Sequence, residues 1–184
     1  MSLFEFVLTG FTLVLALVIT RILSGLRWVL AQGRVYWVHA AFVIAILVLT
    51  SLVWWGLWYQ RDNEWTYLSF AYNLLIGPGI MFFLAAVLVP EIPRRVRDWR
   101  AYYFSVRRLM FGTLVGFVVA VFAGSVLITG TPLWHPSQLV LGVAFILSLC
   151  GYLTAREVVH GVLAVVMLLL VTCSIVLAAI SPNV

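Results

Sequence analysis

Three ionisable side chains, Arg21, His39 and His160, lie within long apolar runs of the sequence and are its first candidates for chemistry. Ionisable groups surrounded by apolar residues are costly and usually mark a binding site or a pathway. The Arg21 guanidinium suits an anion or a lipid phosphate, whereas an imidazole can bind a metal or carry a proton. At about 1.5 Å of rise per residue, the three side chains fall at one depth, near one end of their helices.

Two further polar residues fall at that depth. We call the set the inner polar belt: Ser24, His39, Glu157 and His160 around Arg21. Arg21 can face Glu157, an anionic solute or a lipid phosphate, or its side chain can extend to the headgroups. The histidines can make interfacial hydrogen bonds or hold a b-type haem, although haem ligands usually lie deeper among small residues. A metal site is disfavoured because Glu157 and His160 form a single i, i+3 pair. We therefore predict no cofactor, with haem b as the less favoured alternative.

The most distinctive backbone feature is Gly77-Pro78-Gly79, which falls near the centre of the third apolar run. Proline removes a hydrogen-bond donor and clashes with the preceding turn, so carbonyls between Asn73 and Gly77 are expected to be freed. Broken helices of this kind line solute sites in transporters, while the alternative is a packing kink satisfied by a neighbouring side chain. The sequence thus predicts a solute pathway formed by Arg21, Tyr72, Asn73, Gly77, Pro78 and Gly79.

The elements that carry these residues are apolar helices. Of the 184 residues, 65% are hydrophobic and 9% are charged, and the mean hydropathy is +1.16. That composition leaves too little polar surface for a water-soluble enzyme, and runs of about 20 apolar residues match the thickness of a bilayer core. We predict an all-α, polytopic membrane protein whose residues 1–184 form one transmembrane domain without enzymatic activity. Its six spans are predicted at Leu3 to Leu23, Tyr36 to Tyr59, Thr66 to Val89, Val106 to Thr129, Trp134 to Leu153 and Val158 to Ile180.

All eleven basic residues are arginines, and their distribution predicts the orientation. Arg27 and Arg34 lie between the first two spans, six arginines lie between the third and fourth, and Arg156 lies between the last two. The opposite loops carry only Arg61. Positively charged loops stay in the cytoplasm, so both termini are predicted to be extracytoplasmic, in a cytoplasmic (inner) membrane. Because the arginines flank the spans, nucleic acid is disfavoured as a partner.

Residues 91–105 form a basic segment next to the membrane. Two prolines end the third helix, after which Val96, Trp99 and Tyr103 share one face at helical spacing. We expect this segment to lie on the cytoplasmic surface, bound to anionic phospholipid or, alternatively, to a cytoplasmic protein. The arginines predicted to make these contacts are Arg94, Arg95, Arg97, Arg100, Arg107 and Arg108.

Small residues recur every four positions in the fourth span and form one smooth helix face: Gly112, Gly116, Ala120 and Gly124. Such faces let two helix backbones approach closely in lipid. The partner helix can belong to the same chain or to a second copy. Because a chain of 20.6 kDa with six spans has little interior of its own, we expect a homo-oligomer.

Together these features favour a homo-oligomeric channel or carrier for an ion or small solute. Anions are favoured because the positive charge of Arg21 has no carboxylate counterpart in the middle of any span. The first alternative is a scaffold or effector subunit that recruits a cytoplasmic partner through residues 91–108. The second is a small b-type haem or quinone protein that uses His39 and His160.

Overall fold

The computed structural model describes residues 3–31, 35–58, 60–61 and 64–180. Arg34 and the predicted end of the second span at Tyr59 lie outside these residues. Within the described part the protein is helical, with 84% helix and no strand. The α-helices are α1 Leu3–Val29, α2 Trp37–Trp58, α3 Tyr67–Ala71, α4 Gly77–Leu88, α5 Trp99–Leu127, α6 Pro136–Leu153 and α7 Glu157–Ile180.

Six helical stretches are long and apolar enough to cross a membrane, which confirms the predicted fold class. They are Leu3–Val29, Trp37–Trp58, Tyr67–Arg95, Trp99–Leu127, Pro136–Leu153 and Glu157–Val176. In the third of them, α3 continues through a π-helical turn, Tyr72–Ile76, into α4. The protein is therefore a multi-pass membrane protein, and its orientation stays a prediction.

The core lies where four helices meet. Helices α1, α2 and α5 each pack against α4, and α1 also packs against α2. Side chains from all four are fully buried there, among them Ile22, Ile46, Leu84 and Met110. Helix α6 packs mainly on α5, and α7 packs mainly on α2. The two carboxy-terminal spans thus lie at the edge of a bundle formed by the first four spans.

Helix α5 begins at Trp99 rather than at Val106, so the second half of the basic segment belongs to a spanning helix. The Asp98 side chain caps the helix by accepting bonds from the backbone N–H groups of Arg100 and Ala101, at 2.8 and 3.1 Å. Trp99 and Tyr103 are 1% and 0% exposed. The apolar face that we expected to lie on lipid therefore packs into the bundle, because it continues the buried face of α5.

The Gly77-Pro78-Gly79 sequence widens its helix without interrupting it. Pro78 would clash with the carbonyl four residues earlier in a regular α-helix. The π-helical turn Tyr72–Ile76 comes directly before α4 and relaxes that crowding. Pro78 itself is buried, and a Cβ at Gly77 or Gly79 would meet no atom within 4 Å. The expected break in the third span is thus a wide turn in a continuous helix.

Part of the smooth face of α5, formed by its small residues, packs against other residues of the same chain. The Tyr72 ring packs directly on Gly124, and the Tyr72 hydroxyl donates a 2.6 Å hydrogen bond to the carbonyl of Ala120. At the other end, the Tyr152 ring of α6 lies 3.5 Å from the place of a Cβ on Gly112. A Cβ on Gly116 would meet no atom within 4 Å. At Gly112 and Gly124, the residues that pack on this helix face therefore belong to the same chain.

Candidate functional site

A cleft of about 700 Å³ lies between the end of α1 and the chain that follows α4. We call it the arginine cleft. Its lining residues are Arg21, Ser24, Arg27, Trp28, Val89, Pro90, Glu91, Ile92, Pro93, Arg94 and Arg95. It contains Arg21, the first candidate from the sequence, and two of the arginines predicted to contact lipid or a partner.

Local sequence explains how the two walls of the arginine cleft form. Arg21, Ser24 and Trp28 follow i, i+3 and i+7 spacing, so they share one face of α1. On the other wall, the chain leaves α4 in an extended conformation at Val89. Pro93 then opens the short 3₁₀-helix Pro93–Arg95, which carries two of the lining arginines.

The two walls are joined where α1 has no side chain. A Cβ on Gly25 would collide with the Val89 side chain, so the glycine allows a close approach. The Nε of Arg21 donates a 3.1 Å hydrogen bond to the Val89 carbonyl. This bond fixes the stem of the guanidinium and leaves its terminal amino groups without a bond to any described residue. Arg21 as a whole is half-buried.

Positive charge is in excess in the arginine cleft. Four arginines line it beside a single carboxylate, Glu91. Among the described residues, none of these four arginines lies in an ion pair; Arg27 stacks over the Trp28 ring at 5.0 Å. Guanidinium groups bind carboxylate, sulfate and phosphate through paired N–H donors, and each such bond is stronger than a neutral one. The site is therefore suited to an oxyanion.

The inner polar belt does not form one cluster. Ser24 donates a 2.9 Å bond to the Arg21 carbonyl and lines the arginine cleft. Glu157 does not face Arg21; it forms a two-bond ion pair with Arg100, at 2.7 and 3.0 Å. Both side chains of that pair are about half exposed, at 59% and 46%, so the pair adds little stability. Only Arg21 and Ser24 of the predicted belt meet at the cleft.

His160 belongs to a buried network that sequence alone did not reveal. Its Nδ1 lies 2.8 Å from the Tyr103 hydroxyl, and its Nε2 lies 3.0 Å from the Thr154 carbonyl. Arg107, which we expected on the lipid-facing surface, is buried and donates to the same carbonyl. The network joins α5 to the turn between α6 and α7. Both nitrogens of His160 are thus engaged in structure.

His39 is fully buried and stacks on Trp99, with ring centroids 5.0 Å apart. Neither of its ring nitrogens makes a hydrogen bond of ordinary geometry to a described residue, and the backbone of Leu88 is the polar group that interacts with the ring. Tyr103 packs edge-on against both His39 and His160, at 6.0 and 5.4 Å between centroids. The Tyr103 ring fills the space beside both imidazoles, and both nitrogens of His160 are bonded. This geometry does not fit a bis-histidine haem.

Tyr36 lies just before α2 and packs against Tyr103. Burial raises the pKa of the Tyr36 phenol to about 12, and the negative charge of Glu157 acts in the same direction. The hydroxyl therefore stays protonated at neutral pH. Tyr36 adds no charge to this side of the molecule.

The arginines predicted to contact lipid or a partner have three different environments. Arg94 and Arg95 line the cleft at exposed positions, and Arg97 and Arg108 are exposed outside it. Arg100, also exposed, and the buried Arg107 make the contacts within the chain described above. Of these six arginines, only Arg107 is removed from the surface by burial.

The remaining residues of the predicted solute pathway lie elsewhere. Tyr72, Asn73 and Gly77 line a second cavity of about 360 Å³, whereas Pro78 and Gly79 line neither cavity. Phe11 lines the second cavity and Arg21 lines the first, so the two are about 15 Å apart along α1 by helical rise. Between them the buried face of α1 is packed with apolar side chains. The two cavities share no lining residue.

Comparison with protein families, with characterised proteins and with solved structures gives no match for this chain. Its class therefore rests on the fold, which is that of a multi-pass membrane protein with six apolar helices.

Sequence reasoning missed Gln60, Tyr103 and Thr154 as members of buried polar contacts. A polar residue close to an apolar run was the only available signal for Gln60, and no signal exists for a backbone carbonyl such as that of Thr154.

Proposed function

We propose that the protein is a carrier for a small anion in the cytoplasmic membrane and that the arginine cleft is where the anion binds. The observation that supports this most is the charge of the cleft, in which four arginines face a single carboxylate. Uncompensated positive charge attracts anions and repels cations. Of the four arginines, Arg21 is half-buried, whereas Arg27, Arg94 and Arg95 are exposed. The position of the cleft at the arginine-rich end makes it the cytoplasmic mouth under the predicted orientation.

The packing of the bundle favours a carrier over an open channel. The arginine cleft ends against a core in which Ile22 and Leu84 are fully buried. A conducting pore needs a continuous polar or hydrated path through such a core. A carrier needs only that the binding site be exposed to one side at a time. The packing of these core residues therefore favours a carrier over an open pore.

The size and donors of the arginine cleft favour an oxyanion over a halide. A volume of about 700 Å³ lies within the range of small-molecule sites. The forked donors of arginine match the paired oxygens of a carboxylate, sulfate or phosphate group, whereas a halide cannot use that geometry. Phosphate can come from a free solute or from a lipid headgroup, so the test must separate these sources.

The test is binding of inorganic phosphate and sulfate to the purified protein, measured by calorimetry in a neutral detergent. Wild-type protein is expected to bind, and Arg21→Gln is expected to weaken binding about tenfold, which corresponds to about 1.4 kcal/mol. Arg156→Gln is the matched control, because Arg156 is exposed and does not line the cleft. Equal loss in both variants, or no binding by the wild type, would count against the cleft as the site.

The same calorimetry in nanodiscs separates the two sources of phosphate. If added phosphate still binds in discs of neutral lipid but not in discs rich in anionic lipid, the cleft also accepts a lipid headgroup. If it binds equally in both, the free anion is the ligand.

We also propose that the carrier is a homo-oligomer, since the Gly116 position on α5 remains open to a second copy.

A further inference from the structure

The second cavity, at the opposite end of the bundle from the arginine cleft, is bounded by α1, α2, α5, α6 and the π-helical turn. Most of its lining is apolar, and no Arg, His, Asp or Glu is among the described residues that line it. Its volume of about 360 Å³ falls in the range of small-molecule sites. An occupant of this cavity must therefore be largely apolar and without net charge.

A pair of amides forms the polar end of this cavity. The Nδ2 of Asn73 donates to Oε1 of Gln60 at 3.0 Å, and the Nε2 of Gln60 donates to Oδ1 of Asn73 at 3.2 Å. The second N–H of Asn73 is also used, because Nδ2 donates to the Ser69 carbonyl at 2.9 Å. Each amide nitrogen carries two N–H groups. One N–H of Gln60 is therefore left without a partner among the described residues.

The hydroxyl groups that line the cavity have already used their donors. Tyr72 donates to the Ala120 carbonyl at 2.6 Å, and Thr129 donates to the Ser125 carbonyl at 2.6 Å. Ser125 itself donates to the Phe122 carbonyl at 2.7 Å. The spare N–H of Gln60 is thus the side-chain donor that these contacts leave for an occupant, and it selects a group that accepts a hydrogen bond.

The local backbone explains why Asn73 reaches the amide pair. Asn73 lies within the π-helical turn, is 6% exposed and holds its amide between Gln60 and the preceding turn. Gly56 of α2 and Gly77 add no side chain to the cavity. The wide helical turn before Pro78 and the absence of side chains at Gly56 and Gly77 thus leave space beside the Asn73 amide, which its hydrogen bonds hold in place.

We propose that this cavity binds a neutral amphiphile with a carbonyl head, of the quinone class, whose oxygen accepts the spare N–H of Gln60. The apolar lining takes the rest of the ring and the start of its tail. This inference does not depend on anion transport. A quinone bound here would not contact His39 or His160, because neither residue lines the cavity.

The experiment measures binding of decylubiquinone to the purified full-length protein in nanodiscs of neutral lipid. Gly56→Leu fills the cavity, and the new side chain starts in open space because a Cβ at Gly56 meets no atom within 4 Å. Gly142→Leu is the matched control, since Gly142 has the same open surroundings and does not line the cavity. We expect saturable binding by the wild type and Gly142→Leu and a loss of about tenfold or more in Gly56→Leu.

Gln60→Leu tests the head group separately. We expect it to weaken decylubiquinone while leaving binding of decylbenzene, which has no carbonyl, unchanged. Binding of decylubiquinone that does not saturate above empty nanodiscs, or that is equal in Gly56→Leu and Gly142→Leu, would overturn the proposal. Retention of phospholipid alone in native mass spectra, with no displacement by decylubiquinone, would overturn it as well.

Discussion

At the scale of single residues, His160 shows that a candidate ligand can instead serve as a structural hydrogen-bonding group once it is buried. His160 looked like a candidate ligand because it lies in an apolar run, yet both of its nitrogens have partners inside the protein. A hydrogen bond to a buried group contributes little net stability, but leaving the group unpaired is costly. Tyr103 and Thr154 are thus the reason that an imidazole is tolerated there.

Two tyrosine hydroxyls offer a direct test of that reading. Tyr103→Phe leaves Nδ1 of His160 unpaired and is expected to destabilise the protein by about 1–3 kcal/mol. Tyr36→Phe removes a hydroxyl that makes no hydrogen bond of ordinary geometry to a described residue and interacts weakly with the exposed carboxylate of Glu157. It is therefore expected to change stability by less than about 1 kcal/mol. Unfolding in mixed detergent and SDS micelles measures both. Equal destabilisation by the two substitutions would contradict the network.

Residue contacts are also where the sequence was least informative. Arg21, Ser24, Arg94 and Arg95 could be singled out as candidates from charge and depth alone. Their meeting in one cleft could not, because it depends on the close approach of Gly25 to Val89. The pairing of Glu157 with Arg100 rather than with Arg21 depends in the same way on how the helices turn about their axes.

At the scale of elements, the apolar runs predicted the six spans well because length and hydropathy decide them. The start of α5 was missed for a physical reason. An amphipathic helix on a membrane surface and the first turns of a spanning helix have the same spacing of apolar residues. Only the packing of Trp99 and Tyr103 into the bundle distinguishes them.

The smooth face of α5 makes a second prediction at this scale. Gly124→Ala would place a Cβ 2.5 Å from the Tyr72 ring, so the ring must move and its bond to the Ala120 carbonyl is lost. We expect destabilisation of about 1–3 kcal/mol. Gly116→Ala meets no atom within the chain and is expected to leave the stability of the monomer unchanged or to raise it by up to about 1 kcal/mol.

Thermal unfolding in detergent measures both glycine variants. The same samples, run on a sizing column, show whether Gly116→Ala weakens a contact between copies. Similar stability of the two variants would mean that Tyr72 does not pack on α5 as described.

At the scale of the whole molecule, the two cavities lie at opposite ends of one packed bundle. The described arginines lie at the end that carries the arginine cleft, apart from Arg61 in the opposite loop. The second cavity carries amides and hydroxyls but no charge. This asymmetry is the basis for proposing that an anion binds at one end of the bundle only.

Anion flux through proteoliposomes tests this account most directly. Vesicles with wild-type protein, Arg21→Gln or Arg156→Gln are compared for uptake of sulfate, phosphate and chloride, with potassium as the cation control. We expect oxyanion uptake in the wild type and Arg156→Gln, a fall of about tenfold in Arg21→Gln, and no potassium flux. Folded protein that moves no anion, or an Arg21→Gln variant as active as the wild type, would contradict it.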